Sequence, residues 1–242
     1  MPRRLLAAPD RTAPRLLVGV RSVAEAVEAA DAGADLVDAK DPDGAALGAL
    51  SPDRVRAIAE AARDRAFVSA AAGQAGGMSD LVTRLRVVAA CGVDMARVAL
   101  PPALAADPDL ERACQPLRAL ATPAVAVLFA EDDPDPLWLP GLARAGFAGA
   151  MIDTRGKAGL RLTDHLGLER LARFVATCRA LGLLSGLAGS LDLDDIPRLA
   201  PLRPTYLGFR GGLAVGGNCR ERLDPDRVAD AVRRLDPAPV AA

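Results

Sequence analysis

Lysine, histidine and aromatic residues are all scarce in this 242-residue sequence, and each shortage narrows what the chain can do. Aromatics make up 3% of it, with one Trp and one Tyr. Few side chains are therefore available for nucleobases to stack on. A net charge of −1 supplies no electrostatic footprint for a polyanion or an anionic membrane surface. The expectation is no nucleic-acid partner and no membrane partner. The four cysteines, Cys91, Cys114, Cys178 and Cys219, form no C-x-x-C pair. That pattern reads as reduced thiols in the cytoplasm, not as a disulfide framework or a zinc site. No run reaches the roughly 18 apolar residues of a membrane-spanning helix. The stretch Leu5-Leu6-Ala7-Ala8 is too short for a signal peptide. No His/Asp/Glu cluster has metal-ligand spacing, so no metal is implied. No early G-x-G-x-x-G follows the first strand-like run, which counts against the alternative architecture, an open doubly wound sheet; no cofactor is expected.

The lysine shortage is the most informative. The chain has 28 arginines and two lysines, Lys40 and Lys157. Arginine can replace lysine on a solvated surface. It cannot form a Schiff base or titrate near neutrality. A lysine kept in such a sequence is therefore a candidate for chemistry.

What is present is a regular alternation. Short β-type runs read at 16–20, 35–39, 67–71, 95–99, 124–129, 149–153, 183–188 and 206–210. Amphipathic helical runs lie between them, at 23–32, 52–63, 79–91, 109–120, 137–145, 168–181, 193–199 and 225–235. Eight βα units in strict alternation predict one α/β domain, a (β/α)₈ TIM barrel over residues 15–235. The tails, 1–14 and 236–242, are expected to be loose. Ser22, Ser51, Ser79, Asp192 and Asp224 sit where helix N-caps belong. Gly33, Gly92, Gly146 and Gly182 sit where a left-handed C-cap turns helix into strand.

Barrel enzymes carry their chemistry at the C-terminal ends of the strands. Strand 2 ends Asp38-Ala39-Lys40. Side chains alternate along a strand, so Asp38 and Lys40 share a face. If that face is the interior, an acid and an amine converge at the mouth, with Leu36 and Ala39 turned elsewhere. Otherwise Lys40 is a loop lysine paired with Asp41 or Asp43. Strand 6 ends in Asp153, and Lys157 follows in the loop, a second candidate against a solvated loop lysine. Arg97 in strand 4 is costly unless paired, or set at the mouth against an anion. Gly189 and Ser190 follow strand 7, and Arg210, Gly211 and Gly212 follow strand 8. These two loops form the phosphate site in many barrels, through backbone N–H groups. His165 and Cys219, lone residues in polar loops, read as structural.

The segments GADLVDAKDPDGAALGALSP, FVSAAAG, AMIDTRGKAG, LLSGLAGS and LGFRGGLAVGGNCRERLD together resemble the (5-formylfuran-3-yl)methyl phosphate synthase family of methanofuran biosynthesis. The likeness runs from about Leu16 to Leu235. It implies condensation of two glyceraldehyde 3-phosphate molecules with loss of water and one phosphate, through a Schiff base on Lys40. It places Asp38 beside Lys40, and Asp153 and Lys157 as further active-site groups. The family's strand 4 lysine, a proton acceptor, is replaced here by Arg97. Arginine stays protonated, so either another group takes the proton or the substrate or product differs.

The residues themselves allow an imine on Lys40, with Asp38 or Asp153 moving protons. The glycine loops would hold one phosphate, and Arg97 or Arg155 a second. They equally allow a phosphate-binding barrel isomerase with no imine, or a barrel that only binds a sugar phosphate. Association into a homo-oligomer is expected from the barrel class.

Overall fold

The computed structural model describes residues 13–44, 47–155 and 159–236. Most of both tails, residues 1–12 and 237–242, and Lys157 lie outside them. Eight parallel strands close in sequence order into one barrel. The first half runs β1 (Arg15–Val20), α1 (Val23–Asp31), β2 (Leu36–Ala39), α2 (Pro52–Ala62), β3 (Phe67–Gln74), α3 (Met78–Ala89) and β4 (Met95–Ala99). Then come α4 (Pro102–Ala105), α5 (Leu110–Cys114), β5 (Ala124–Phe129), α6 (Trp138–Arg144), β6 (Gly149–Asp153) and α7 (Leu162–His165). The chain continues with α8 (Leu168–Ala180), β7 (Leu184–Leu187), α9 (Ile196–Leu199), β8 (Tyr206–Phe209) and α10 (Pro225–Leu235).

Strand alternation divides the apolar residues between two cores. One face of each strand packs on the helices, with Leu16, Val37, Val98, Ala126 and Ile152 in that layer. The other fills the barrel, with Leu17, Leu36, Met95, Val125, Val127, Phe129, Met151 and Tyr206. Burying each of the larger aliphatic side chains is worth roughly 1.5–3 kcal/mol. Ala39 faces the helix layer as expected. Leu36 does not: a period of two puts it on the same face as Asp38, inside the barrel.

Local signals hold where they rest on backbone geometry. Gly33, Gly92, Gly146 and Gly182 adopt φ of +99°, +79°, +90° and +69°, the turn that carries helix into strand. The side chains of Ser22, Asp192 and Asp224 accept N–H groups at helix starts. Ser51 precedes its helix without a side-chain bond. Ser79 lies inside α3, because that helix starts after Gly77. The helix expected over 109–120 is α5 followed by a 3₁₀ turn, Gln115–Ala119, that contains Pro116. Proline removes an N–H donor and clashes with the preceding turn, so a regular helix cannot pass. The helix expected at 193–199 likewise splits into a 3₁₀ turn and α9. Strand β3 runs on to Gln74 across an irregularity in its pairing with β4.

Candidate active site

In an eight-stranded barrel, alternate strands contribute side chains to common levels. β2, β4, β6 and β8 supply Asp38, Arg97, Met151 and Gly208 to one level. Two residues further on they carry Lys40, Ala99, Asp153 and Arg210 at the mouth.

The lower level is closed. Arg97 is 0% exposed, and its guanidinium is paired with the Asp38 carboxylate, also 0% exposed. Ser69 Oγ donates to Asp38 Oδ1 at 2.6 Å. Arg97 Nη1 points at Met151 Sδ, 3.0 Å away, a weak acceptor. Arg97 Nε and the Tyr206 hydroxyl have no hydrogen-bond partner among the described residues. Burial pushes the Tyr206 phenol well above its usual range. A buried arginine is tolerated here because a carboxylate from the next-but-one strand answers it. The placement also corrects two expectations. Arg97 is enclosed and cannot hold an anion in the cleft. Asp38 shares the inward face of Lys40, but lies one level down with both oxygens engaged.

Lys40 follows β2, and its N–H bonds Val20 O at 3.0 Å. Its side chain lies across the end of β1, over Gly19. A Cβ at Gly19 would stand 2.6 Å from Lys40 Cε and 3.5 Å from Nζ. Glycine leaves the space that the lysine occupies. Asp153 ends β6, four strands around the barrel and so across the mouth from β2. It is 8% exposed, and its Oδ1 accepts the Thr154 N–H at 2.8 Å. Lys40 and Asp153 line one cleft of about 560 Å³.

The glycine loops form the β7–β8 side of the same cleft, with Gly189, Ser190, Gly211 and Gly212 in its wall. Gly189 (φ +117°) and Ser190 (φ +50°) are both left-handed. A Cβ on Gly189 would meet Thr154 N at 2.9 Å, and one on Gly212 would run into the Leu191 carbonyl. Only glycine lets these backbones approach so closely.

Arg210 also lines the cleft but is 6% exposed, and all five of its N–H groups are occupied. Nη1 and Nη2 grip the Glu25 carboxylate at 2.7 and 3.1 Å. The remaining bonds run to Gly19 O, Cys219 O and Glu221 O at 3.1, 2.9 and 2.8 Å. Expected as a phosphate ligand, it instead clamps β1, α1 and the loop after β8 together. Cys219 lines the cleft beside it. Arg155 is held by Asp132 (Nη1–Oδ1 2.9 Å) and stacks over the Phe129 ring, 4.5 Å from its centroid. Its charge is already answered, which weakens it as a second anion site. His165 ends α7, with Nε2 4.0 Å from Glu131, and is not in the cleft wall.

Several contributors were not legible in the sequence. Glu25 stands three residues after Ser22 in an S-x-x-E pattern, which signals a helix cap and hides the pairing with Arg210. Arg161 and Arg220, among many arginines, carry no mark that they reach the cleft. Tyr206, opening a strand-like run, and Leu47, between a strand and a helix, carry no mark either of their place inside the barrel. Among the described residues, no group of three or more His, Cys, Asp or Glu could hold a metal, and no helix is long and apolar enough to cross a membrane.

Fold and site define a (β/α)₈-barrel enzyme with a lysine-centred cleft at the C-terminal mouth. A family model described as 4-HFC-P synthase matches residues 16–232. The chain belongs to the 4-HFC-P synthase family. A Methylorubrum extorquens relative, provisionally named as a (5-formylfuran-3-yl)methyl phosphate synthase, is 50% identical over 228 residues, 94% of each chain. The (5-formylfuran-3-yl)methyl phosphate synthase of Methanococcus maripaludis strain C6 is 33% identical over 230 residues, 90% of this chain and 98% of that one. Among solved structures, phosphoribosyl anthranilate isomerase from Thermus thermophilus superposes with a TM-score of 0.63 at 15% identity, covering 91% of this chain and 98% of that one. That likeness concerns the fold alone.

Proposed function

We propose that this enzyme joins two glyceraldehyde 3-phosphate molecules into (5-formylfuran-3-yl)methyl phosphate, with loss of one phosphate and two waters, for methanofuran-type cofactor biosynthesis. The observation that carries the reading is the placement of Lys40. It is one of only two lysines in the chain, its side chain lies over Gly19 at the barrel mouth, and it shares a cleft with Asp153 and two glycine loops.

The Lys40 amine adds to a triose carbonyl and releases water as the imine forms. The imine withdraws electrons, so the neighbouring C–H becomes acidic. Asp153, facing Lys40 across the mouth, is the cleft carboxylate we assign to proton transfer. Arg97 cannot do this, since its guanidinium stays protonated. Asp38 is held by Arg97 and Ser69 beneath the floor, and in this reading it fixes the level on which Lys40 rests. Backbone N–H groups of Gly189, Ser190, Gly211 and Gly212 cradle one phosphate, in the manner of left-handed nests. Arg161 and Arg220 also line the cleft; each is paired with an aspartate, Asp195 at 3.1 Å and Asp43 at 2.8 Å, and we assign the second phosphate to their remaining N–H groups. Lys157 supplies a further amine from the loop after β6. The working species is a homo-oligomer in the cytoplasm.

Incubation with glyceraldehyde 3-phosphate, followed by mass spectrometry of product and protein, tests the reading. The expected result is furan aldehyde phosphate in solution and a borohydride-reduced triose adduct on Lys40. Turnover with no adduct would sink the imine route. Binding without turnover would make the protein a sugar-phosphate-binding barrel.

A further inference from the structure

Four described non-glycine residues adopt left-handed backbone: Leu47 (φ +57°), Asp133, Ser190 and Arg203. Two of them, Leu47 and Ser190, line the cleft. Ser190 belongs to the glycine loop after β7. Leu47 has no such context. A bulky leucine seldom enters this region, and strain of this kind persists only where the surroundings impose it.

The surroundings are visible. The segment after Lys40 turns back on itself, and Asp41 pairs with Gly48 in an antiparallel bridge, N to O 2.9 Å. Gly44 and Gly48 cross so closely that a Cβ on Gly44 would stand 2.7 Å from Gly48 Cα. That bridge ties Leu47, one residue before Gly48, to the residue that follows Lys40. The Leu47 side chain is 8% exposed and joins the apolar cluster inside the barrel. Every other member comes from a strand or its immediate end. Among the described residues, Leu47 alone enters from a loop, and it lines the same cleft as Lys40.

We propose that Leu47 is the apolar wall that shields the Lys40 end of the cleft from water, held there at the cost of a left-handed backbone. This rests on the reading of Lys40 as the imine-forming residue. It extends that reading by naming what keeps the imine dry. An imine hydrolyses when water reaches its carbon, and both dehydration steps proceed further in a site from which water is excluded.

The test uses Leu47→Gly and Leu47→Met. Glycine adopts φ +57° freely, so the first variant keeps the loop conformation and removes only the wall. Methionine restores apolar volume. Reductive methylation with formaldehyde and borohydride labels lysine whatever the natural substrate. Labelling of Lys40 is read by peptide mass spectrometry as a ratio to isotope-labelled wild-type protein treated in parallel. That labelling ratio is expected to rise severalfold in Leu47→Gly and to return towards wild type in Leu47→Met. With triose phosphate, kcat/KM of Leu47→Gly is expected to fall roughly tenfold or more, the scale of a lost apolar contact in a pocket. An unchanged labelling ratio in Leu47→Gly overturns the proposal, whether or not triose phosphate is turned over. A raised ratio in a protein that makes no furan product supports the wall and overturns the proposed reaction instead.

Discussion

A methyl group placed on Gly19 pushes directly on Lys40, the residue proposed to form the imine. In Gly19→Ala the new Cβ would stand 2.6 Å from Lys40 Cε. Carbon atoms in ordinary contact are about 3.5–4.0 Å apart. The lysine tip must therefore retreat by about 1 Å. Its stem is flexible and the site is open above it, so the retreat costs little folding energy. The Arg210 Cβ, 3.3 Å from the same point, needs to give by only a few tenths. Alanine in a strand is also favoured over glycine by roughly 0.5–1 kcal/mol, which offsets the crowding. Stability should stay near wild type. Chemistry should not, because a misplacement of about 1 Å can cost on the order of 100-fold in rate. That is about 2.7 kcal/mol of transition-state stabilisation. The assay is the rate of borohydride trapping on Lys40 with glyceraldehyde 3-phosphate, beside kcat/KM and a thermal melt. A variant that melts like wild type and traps about 100-fold more slowly is the expected outcome. Wild-type trapping by Gly19→Ala would show that Lys40 does not work from its place over Gly19.

Two further predictions concern the buried groups. Arg97→Ala leaves the Asp38 carboxylate enclosed with Ser69 as its remaining partner, and should cost about 3–5 kcal/mol, the scale for breaking a buried pair. At this chain length that lowers the melting midpoint by roughly 10 °C, and the double change Asp38→Leu/Arg97→Met should recover much of it; calorimetry showing the single variant unshifted would contradict the pairing. Burial pushes the Cys178 thiol up to about 12 from an ordinary 9.0. The unfolded chain then ionises first as pH rises, so folding weakens between about pH 9 and 12 by up to roughly 1.4 kcal/mol per unit. Denaturant unfolding across that range should show a shallower alkaline loss in Cys178→Ala than in wild type.

Much of the fold was legible because it depends on short-range order. A short apolar run of four to six residues marks a strand buried on both faces, and a glycine that must turn left-handed marks the step into the next one. The same logic pointed to Lys40, Asp153 and the glycine loops, at strand ends where barrel chemistry sits, and the structure brings them to one cleft. Boundaries slipped where a local interruption won, as at Pro116. Ser79 misled because a hydroxyl near a helix start says nothing about which residue begins the helix.

The sequence by itself determined the eight βα units and the family, and it singled out Lys40 as the candidate for the chemistry. The partners of the charges were decided only by closure of the barrel. Asp38 and Arg97 are 59 residues apart, and Glu25 and Arg210 are 185 apart. No local pattern joins such pairs; they meet because parallel strands fix which side chains share a level, and because the last strand returns to the first. Closure also sorted the polar residues by depth. It placed Lys40 at the mouth and Asp38 beneath it, though alternation alone puts both on one face. It drew Leu47 inside, where a composition of ordinary leucines gives no hint of a strained one.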